Sequence, residues 1–454
     1  MRKYFGTDGI RRIANTDLTP ELVYKVAKAG AYVLSKHTDH APTILIGRDT
    51  RLSGTLIESA MTSGFLSYGA NVKLLGVIPT PAVAYLTKKL KADASVVISA
   101  SHNTFEFNGI KFFSNKGMKI PDSLEEEIEE VMESGKLEEL TAKNENIGVS
   151  EIREDLIDEY VYFFRKNFDE DIENNNKEDF KVLIDTANGA TYKVAEKVFT
   201  NLGIKYKIIN NEPDGININK NCGSTHLEML QEEVIKGKFN LGIAYDGDGD
   251  RCLAVDENGN IIDGDKILAV ISNYMKKNGT LNKNAFVATV MSNLGLNKYA
   301  EKNNIKFIQT NVGDRYVLEQ MLKDGYNIGG EQSGHVILLD YNPTGDGILT
   351  SLMLIKIILE ENKTASEVCN IVKIFPQVLV NAKVDSNKKD MYKKDNEIIQ
   401  KIESIEKEFS GNGRTLIRPS GTEPLIRVMI EGEDINEITK RANELAKLIE
   451  EKLN

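Results

Sequence analysis

The chain has 454 residues, enough for about three domains at roughly 150 residues each. Lys and Arg number 57 against 68 for Asp and Glu, a formal net charge of −11, which argues against bulk nucleic-acid or anionic-membrane binding but leaves room for a locally basic cleft around an anionic small ligand. Three scattered cysteines, Cys222, Cys252 and Cys369, exclude a disulfide scaffold and fit a reducing compartment. The N-terminal MRKYFGTDGIRR lacks an apolar signal core. The most apolar stretches, Ile267–Ile271 and Ser351–Leu359 with its Lys356, are too short or too interrupted to span a membrane, so a soluble cytoplasmic protein is expected.

In chain order, a first repeating unit runs from the apolar run Thr43–Ile46 (TILI) through the loop GRDTRLSG and the amphipathic stretch TLIESAMTSGFLSYG to NVKLLG. The same order returns from Lys181–Ile184 (KVLI) through DTANGAT and YKVAEKVFTNLG to KYKIIN. It returns again from Ala285–Val290 (AFVATV) through MSNLG and LNKYAEKNN to IKFIQT. Strand, helix and strand at this spacing predict βαβ crossovers and mostly parallel sheets covered on both faces. The acidic, periodic stretch Ser123–Glu139 predicts a solvated surface helix, and Asn174–Glu178 (NNNKE) reads as a boundary loop. After Ile374–Val384 come a polar helix (Lys388–Phe409), the strand TLIR, a loop, the strand LIRVMIEG and a helix from Asp434 to Leu453. Asp434 and Glu437 are spaced as a capping box. The predicted class is α/β: three similar doubly wound α/β domains and a smaller C-terminal α+β domain.

Five polar segments carry residues suited to chemistry. Asp246, Asp248 and Asp250 alternate with glycines ahead of Arg251, between two apolar runs. Three carboxylates this close repel unless a cation neutralises them, and hard oxygen ligands suit Mg²⁺ or Ca²⁺. The alternatives are a solvated acidic turn and an EF-hand, the latter disfavoured because Arg251 takes the sixth position where glycine is needed and the flanks read as strands. Ser101 and His102 follow the strand-like Ala94–Ile98, where α/β folds place ligands, and Lys111 can return an amine to the same place. There is no hydrolase elbow around this serine, and its bland reading is a cap of a turn. Glu331, Ser333 and His335 in GGEQSGH are suited to sugar hydroxyls, although such groups are more often structural. His37 and His40 read as surface loop residues, and His226 has no obvious partner. Arg418, Ser420, Gly421 and Thr422, with Arg427 on the next strand, make either a phosphate cradle or a salt-bridged turn. The loops Gly6–Arg12 and Gly47–Arg51 are equally compatible with a site and with Asp–Arg turns. Together these parts describe phosphoryl transfer, and the absence of a P-loop or kinase signature argues against a nucleotide donor.

The motifs KYFGTDGIR (3–11), SASHN to NGIK (99–111), DGDGDR (246–251), GGEQSGH (329–335) and RPSGTEPLIRV (418–428) span nearly the whole chain. In this order they resemble the α-D-phosphohexomutase superfamily. Gln332 and the run from Pro213 through Asn217-Ile218-Asn219 to His226 resemble its glucosamine branch. The resemblance implies four domains around one cleft, placed at 1–150, 151–252, 253–370 and 371–454. Ser101 would be a phosphoserine that exchanges its phosphoryl group with a hexosamine phosphate through a 1,6-bisphosphate. Asp246, Asp248, Asp250 and a Ser101 phosphate oxygen would hold Mg²⁺. Lys111, the favoured general acid/base, and His102 would serve near the nucleophile, with Arg11 and Arg251 lining the cleft. Glu331, Ser333 and His335 would bind the sugar, and Arg418, Ser420, Gly421, Thr422 and Arg427 the phosphate not in transfer. The expected partner is the small substrate, with a homodimer allowed and neither nucleic acid nor membrane expected. Alternatives are the same chemistry on mannose or glucose phosphates, or a non-catalytic sugar-phosphate sensor. Two positions depart from the family pattern: Thr104 replaces a proline after SHN, which frees the loop's φ, and Arg12 replaces a glycine after GIR, which adds a side chain at a turn and a charge near the cleft.

Overall fold

The computed structural model describes residues 3–6, 8–36, 38–175, 179–420 and 423–454. It divides into a larger unit, residues 1–291 with 305–371, and a smaller one, residues 292–304 with 372–454. Among the described residues no helix is long and apolar enough to cross a membrane.

Three sheets build the larger unit. The first contains β1 (Ile10–Ile13), β2 (Thr43–Arg48), β3 (Asn71–Val77), β4 (Ala94–Ile98), β5 (Phe107–Ser114) and β6 (Ser150–Ile152), in the order β1-β5-β4-β2-β3-β6. The second contains β7 (Lys181–Asp185), β8 (Lys205–Ile209), β9 (Leu241–Tyr245), β10 (Cys252–Asp256) and β11 (Ile261–Ile262), ordered β11-β10-β9-β7-β8. The third contains β12 (Ala285–Thr289), β13 (Lys306–Thr310), β14 (Ile328–Gly330) and β15 (Val336–Leu338), ordered β13-β12-β14-β15.

The βαβ strands pair in parallel, as the periodicity predicts. The sheets are nevertheless mixed: β5 returns antiparallel to β4, β10 to β9 and β15 to β14. At these three places the chain has no crossover helix, and a short loop can join only antiparallel neighbours. The three loops carry the Ser101, Asp246–Arg251 and Glu331–His335 segments, so each lies at the C-terminal end of a buried strand. Beneath the Ser101 loop the apolar faces of β2, β4 and β5 pack against helices Pro20–Ser35 and Gly54–Tyr68. Those two helices meet at Gly64, where an added Cβ would lie 2.6 Å from the Ala27 Cβ.

The acidic stretch forms helix Asp122–Glu133, but it is not simply a solvated face. Glu129 is buried and accepts from the backbone N–H groups of Lys3, Tyr4 and Phe5 at 2.6, 2.7 and 2.8 Å. Glu125, also buried, receives Arg315 at 2.8 Å. Carboxylates at helical spacing here satisfy donors on other segments, which composition does not reveal. The predicted boundary loop at Asn174–Glu178 begins inside helix Ile157–Asn175; Asn176, Lys177 and Glu178 lie outside the described residues, as does His37. All three cysteines are buried free thiols.

The smaller unit holds β16 (Gln377–Lys383), β17 (Arg414–Pro419) and β18 (Leu425–Glu431), an antiparallel sheet ordered β16-β18-β17. Helices Asn396–Glu408 and Ile435–Leu453 share its core. Asp434 caps the second helix by accepting from Asn436 and Glu437 N–H at 2.8 and 3.3 Å, the forward half of the predicted box. Helix Leu294–Lys302 is the crossover between the parallel strands β12 and β13 that the sequence predicts, and its residues cluster with this smaller unit. Asn293 exchanges two hydrogen bonds with the Phe375 backbone, both at 2.9 Å. Glu431 accepts from Leu294 N–H at 3.2 Å and from Arg414 at 2.8 Å.

Candidate active site

Ser101 lies between β4 and β5 at φ +52°, a left-handed conformation costing a non-glycine residue about 1–2 kcal/mol. The surrounding bonds offset that cost. The side chain of Arg51, fully buried, donates from Nη2 to Ser101 O at 2.9 Å and Asn103 O at 2.8 Å, and from Nη1 to Phe107 O at 3.1 Å and to Thr104 O. Its Nε reaches Asp49 at 2.8 Å. Asp49 in turn accepts from Ser99 Oγ at 2.6 Å, and Ser99 Oγ accepts from Ser101 N–H at 2.9 Å. Burial pushes the Asp49 carboxyl up even with Arg51 beside it. So held, Ser101 Oγ donates to Asp246 Oδ2 at 2.6 Å, and His102 Nδ1 stands 3.5 Å from Ser101 Oγ.

The Asp246–Arg251 turn joins β9 to β10. Gly247 has to be glycine, because a Cβ there would lie 2.5 Å from Ser101 O. Asp246, Asp248 and Asp250 are all buried, with one oxygen from each lying within 4.8 Å of the others. Burial, then the neighbouring charges of Asp250 and Asp248, drive the Asp246 carboxyl well above its usual range. Burial would also raise Asp248, but the Lys111 ammonium 3.1 Å away outweighs it and holds that carboxyl low. Lys111 also lies 3.1 Å from Asp8 and 3.7 Å from Asp250. Its desolvation is outweighed by these carboxylates, so it stays protonated well above its usual range. Thr80 Oγ1 steadies Asp248 at 2.7 Å. Asp248 Oδ1 and Asp250 Oδ1 are buried without a hydrogen-bond partner. Crowded carboxylates with free oxygens suit a divalent cation that takes oxygen ligands.

Beside this turn is a cavity of about 390 Å³ lined by Asp250, Arg251, Glu331, Ser333 and His335 together with Asp8, Lys119 and Asp314. Glu331 accepts from Gly313 N–H at 3.2 Å, and burial raises its carboxyl. His335 Nε2 stands 3.4 Å from Asp314 and 3.9 Å from Asp250. Lys119 bridges Asp8, at 2.5 Å, and Asp314. Arg11 pairs with Asp8 at 2.9 Å and reaches Asn103 at 3.1 Å. Burial, then the charges of Arg251 and Arg11, push His102 down to about 4, so it is neutral at physiological pH.

In the smaller unit Arg418 and Arg427 are directly opposite on β17 and β18. Like charges so placed repel, and burial followed by Arg427 lowers Arg418. An anion between the two guanidinium groups relieves this. Ser420 Oγ accepts from Glu423 N–H at 3.1 Å. Lys389 Nζ donates to Ser420 O at 2.6 Å and Glu423 O at 3.2 Å, stapling both flanks of the turn. Gly421 and Thr422 lie outside the described residues.

Four consecutive segments match the phosphoglucomutase/phosphomannomutase family: alpha/beta/alpha domain I over residues 2–139, domain II over 158–259, domain III over 263–375 and the C-terminal domain over 379–448. A phosphoglucosamine mutase of Clostridium acetobutylicum is 54% identical over 454 residues, covering 100% of both chains. The chain belongs to the phosphoglucosamine mutase family. It is therefore an isomerase of the phosphohexomutase class. Its fold is that of a phosphoglucomutase/phosphomannomutase family protein of Burkholderia thailandensis (TM-score 0.81, 20% identity, 99% of this chain and 98% of that one). An N-acetylphosphoglucosamine mutase of Aspergillus fumigatus, solved with GlcNAc-6P and magnesium, is also similar (TM-score 0.69, 17% identity, 100% and 96%).

For this phosphoglucosamine mutase family chain, the residues named from sequence fall into two groups. Ser101, His102, Lys111, Arg11, Asp246, Asp248, Asp250, Arg251, Glu331, Ser333 and His335 lie in the larger unit, and Arg418, Ser420 and Arg427 in the smaller. The sequence motifs do not single out Lys119, Asp314, Thr80 or Lys389, and they leave Arg51 compatible with a site and with an Asp–Arg turn. Thr80 and Asp314 had a usable signal, since each is polar and sits just past a strand's C-terminal end. Lys119 and Lys389 had none. Of the two departures, Thr104 gives its carbonyl to Arg51. Arg12 is not at a turn: it lies within β1, bonds Lys3 O at 2.8 Å and covers the Tyr4 ring.

Proposed function

We propose that this chain interconverts glucosamine 6-phosphate and glucosamine 1-phosphate, with Ser101 carrying a phosphoryl group between turnovers. One observation carries the reading: the Ser101 hydroxyl bonds a carboxylate of a buried acidic turn 145 residues away, in a chain 54% identical to a phosphoglucosamine mutase. In the forward direction the P–Oγ bond of phospho-Ser101 breaks and a bond to the sugar 1-oxygen forms, giving a 1,6-bisphosphate. After the intermediate turns over, its 6-phosphoryl group returns to Oγ. In the first transfer the sugar 1-hydroxyl gives up a proton as the leaving Oγ takes one, and on return Oγ gives up a proton as the sugar 6-oxygen takes one, so no net proton is consumed. Lys111, held protonated by its carboxylates, is the proposed donor to Oγ and the acceptor on return. Neutral His102 adds no charge beside Oγ.

Asp246, Asp248 and Asp250 would hold Mg²⁺, with a phosphate oxygen on Ser101 completing the set; the free buried oxygens of Asp248 and Asp250 support this. When bound, the ion would supply positive charge that offsets the negative charge developing on the phosphoryl oxygens and the departing Oγ. Glu331, Ser333 and His335 are proposed to orient the sugar hydroxyls. Arg418, Ser420 and Arg427 are proposed to bind the phosphate not in transfer, as fork-shaped donors do. The test is Ser101→Ala, assayed for hexosamine-phosphate isomerisation. Turnover should vanish while the circular dichroism spectrum is kept, and near-normal turnover would defeat the assignment. Comparing kcat/KM on glucosamine, glucose and mannose 6-phosphates tests the sugar.

A further inference from the structure

We propose that Asn219 is a positioning residue for Ser101, acting through the backbone of the serine loop and governing the rate of phosphoryl transfer rather than the binding of the sugar. The inference rests on the role given to Ser101 above. Asn219 follows β8 in the second sheet's part of the chain, far from Ser101 in sequence. It is buried, itself left-handed at φ +57°, and anchored by its own N–H to Ala187 O at 2.9 Å. From Nδ2 it donates to Ser101 O at 2.9 Å and to Asn103 O at 2.8 Å. Those are the two carbonyls that Arg51 Nη2 also reaches.

Each carbonyl therefore receives two donors, one from the loop after β2 and one from the loop after β8. A carbonyl oxygen has two lone pairs, so both are used. Returning Ser101 to negative φ would swing its carbonyl off both donors. The double clamp thus offsets the left-handed conformation that aims Oγ at Asp246. The two donors differ in scope. Arg51 also serves Asp49, Thr104 and Phe107, so its loss dismantles the whole loop. The Asn219 amide serves these two carbonyls.

Gly247 adds a second line of support. A Cβ there would lie 2.5 Å from Ser101 O and 2.7 Å from Asn219 Nδ2, so the amide-to-carbonyl bond rests directly on the acidic turn. Asn219 thereby fixes the serine loop against the residues that Oγ must face. A misplacement of about 1 Å at a reacting atom costs on the order of a hundredfold in rate.

The experiment uses the full chain with two substitutions that both suit left-handed backbone. Asn219→Asp keeps the shape and replaces the donor by an acceptor; Asn219→Gly removes the group. Three quantities are read: kcat and KM with glucosamine 6-phosphate, deuterium uptake over residues 99–107, and loss of phosphate from the phosphorylated enzyme alone by intact mass. Both variants should lose about ten- to a hundredfold in kcat with KM within about twofold. They should exchange faster over 99–107 and shed phosphate to water faster. A kcat within about twofold of the parent in either variant, or a loss carried by KM, overturns the proposal. So does failure of both variants to fold, which would assign Asn219 to stability. A parent chain with no turnover and no phosphate on Ser101 would instead defeat the functional reading and the rate role with it, whereas unchanged deuterium uptake over 99–107 in both variants of an active parent would overturn the positioning alone.

Discussion

Asp346→Asn probes how the acidic turn is anchored. Asp346 is fully buried and caps helix Gly347–Glu361 by accepting from Leu349 N–H at 3.0 Å. Its other oxygen accepts from Tyr160 at 2.8 Å and Asn342 at 3.0 Å. The first helical residue, Gly347, donates to Gly249 O of the turn at 3.0 Å, so the cap and the turn share one support. Burial raises the Asp346 carboxyl from 3.8 to about 6 in spite of these donors. Its folded-state value lies above its unfolded one, so the folded chain binds the proton more tightly. Stability contributed by that proton is complete below about pH 4 and is lost as pH rises through about 6, to a total of roughly 3 kcal/mol at about 1.4 kcal/mol per unit. Between about pH 4.5 and 7.5 the parent should lose about 2 kcal/mol relative to Asp346→Asn. The amide's own cost in hydrogen bonding does not vary with pH and drops out of the difference. Urea unfolding of both chains, followed by far-ultraviolet circular dichroism and tyrosine fluorescence because the chain has no Trp, measures it across that range. Parallel stability profiles would refute the reasoning.

Magnesium at a hundred times its dissociation constant should raise parent stability by about 2.7 kcal/mol, visible as a higher unfolding temperature by calorimetry. Asp250→Asn should lose most of that increment, and an equal increment in both chains would remove the acidic turn as the site. Arg427→Ala should raise KM for the sugar phosphate by at least about tenfold, the scale of one charge-assisted hydrogen bond. It should not lower the unfolding temperature, because it removes a like charge opposite Arg418. A fall in that temperature with KM unchanged would make the arginine pair structural.

The strands were legible because they are buried apolar runs: Ala94–Ile98 is buried at every residue and needs no tertiary information to be read. Their return partners were harder. β5 opens with Phe107-Asn108-Gly109, which carries no strand signature, and its direction follows from a missing helix rather than from its own residues. Helix Leu294–Lys302 shows the limit from the other side. Its amphipathic pattern is that of a crossover, yet its placement is decided by Asn293 meeting Phe375 and Leu294 meeting Glu431, contacts more than 80 residues apart. Nothing local encodes them.

The site divides along the same line. The reactive groups stand out because their chemistry is unusual in sequence: three aspartates alternating with glycines, a serine directly after a strand, arginines around a turn. What orients them consists of ordinary residues. Arg51 and Asn219 are polar loop residues of a kind found throughout the chain, and their importance lies in the carbonyls they happen to face. Backbone carbonyls are present at every position and so leave no mark on the sequence. A motif can therefore disclose which atom reacts, while the geometry that makes it react is carried by donors whose targets exist only after folding. This is why the Ser101 hydroxyl was a candidate from the sequence, and its left-handed backbone, shared clamp and seat on Gly247 were not.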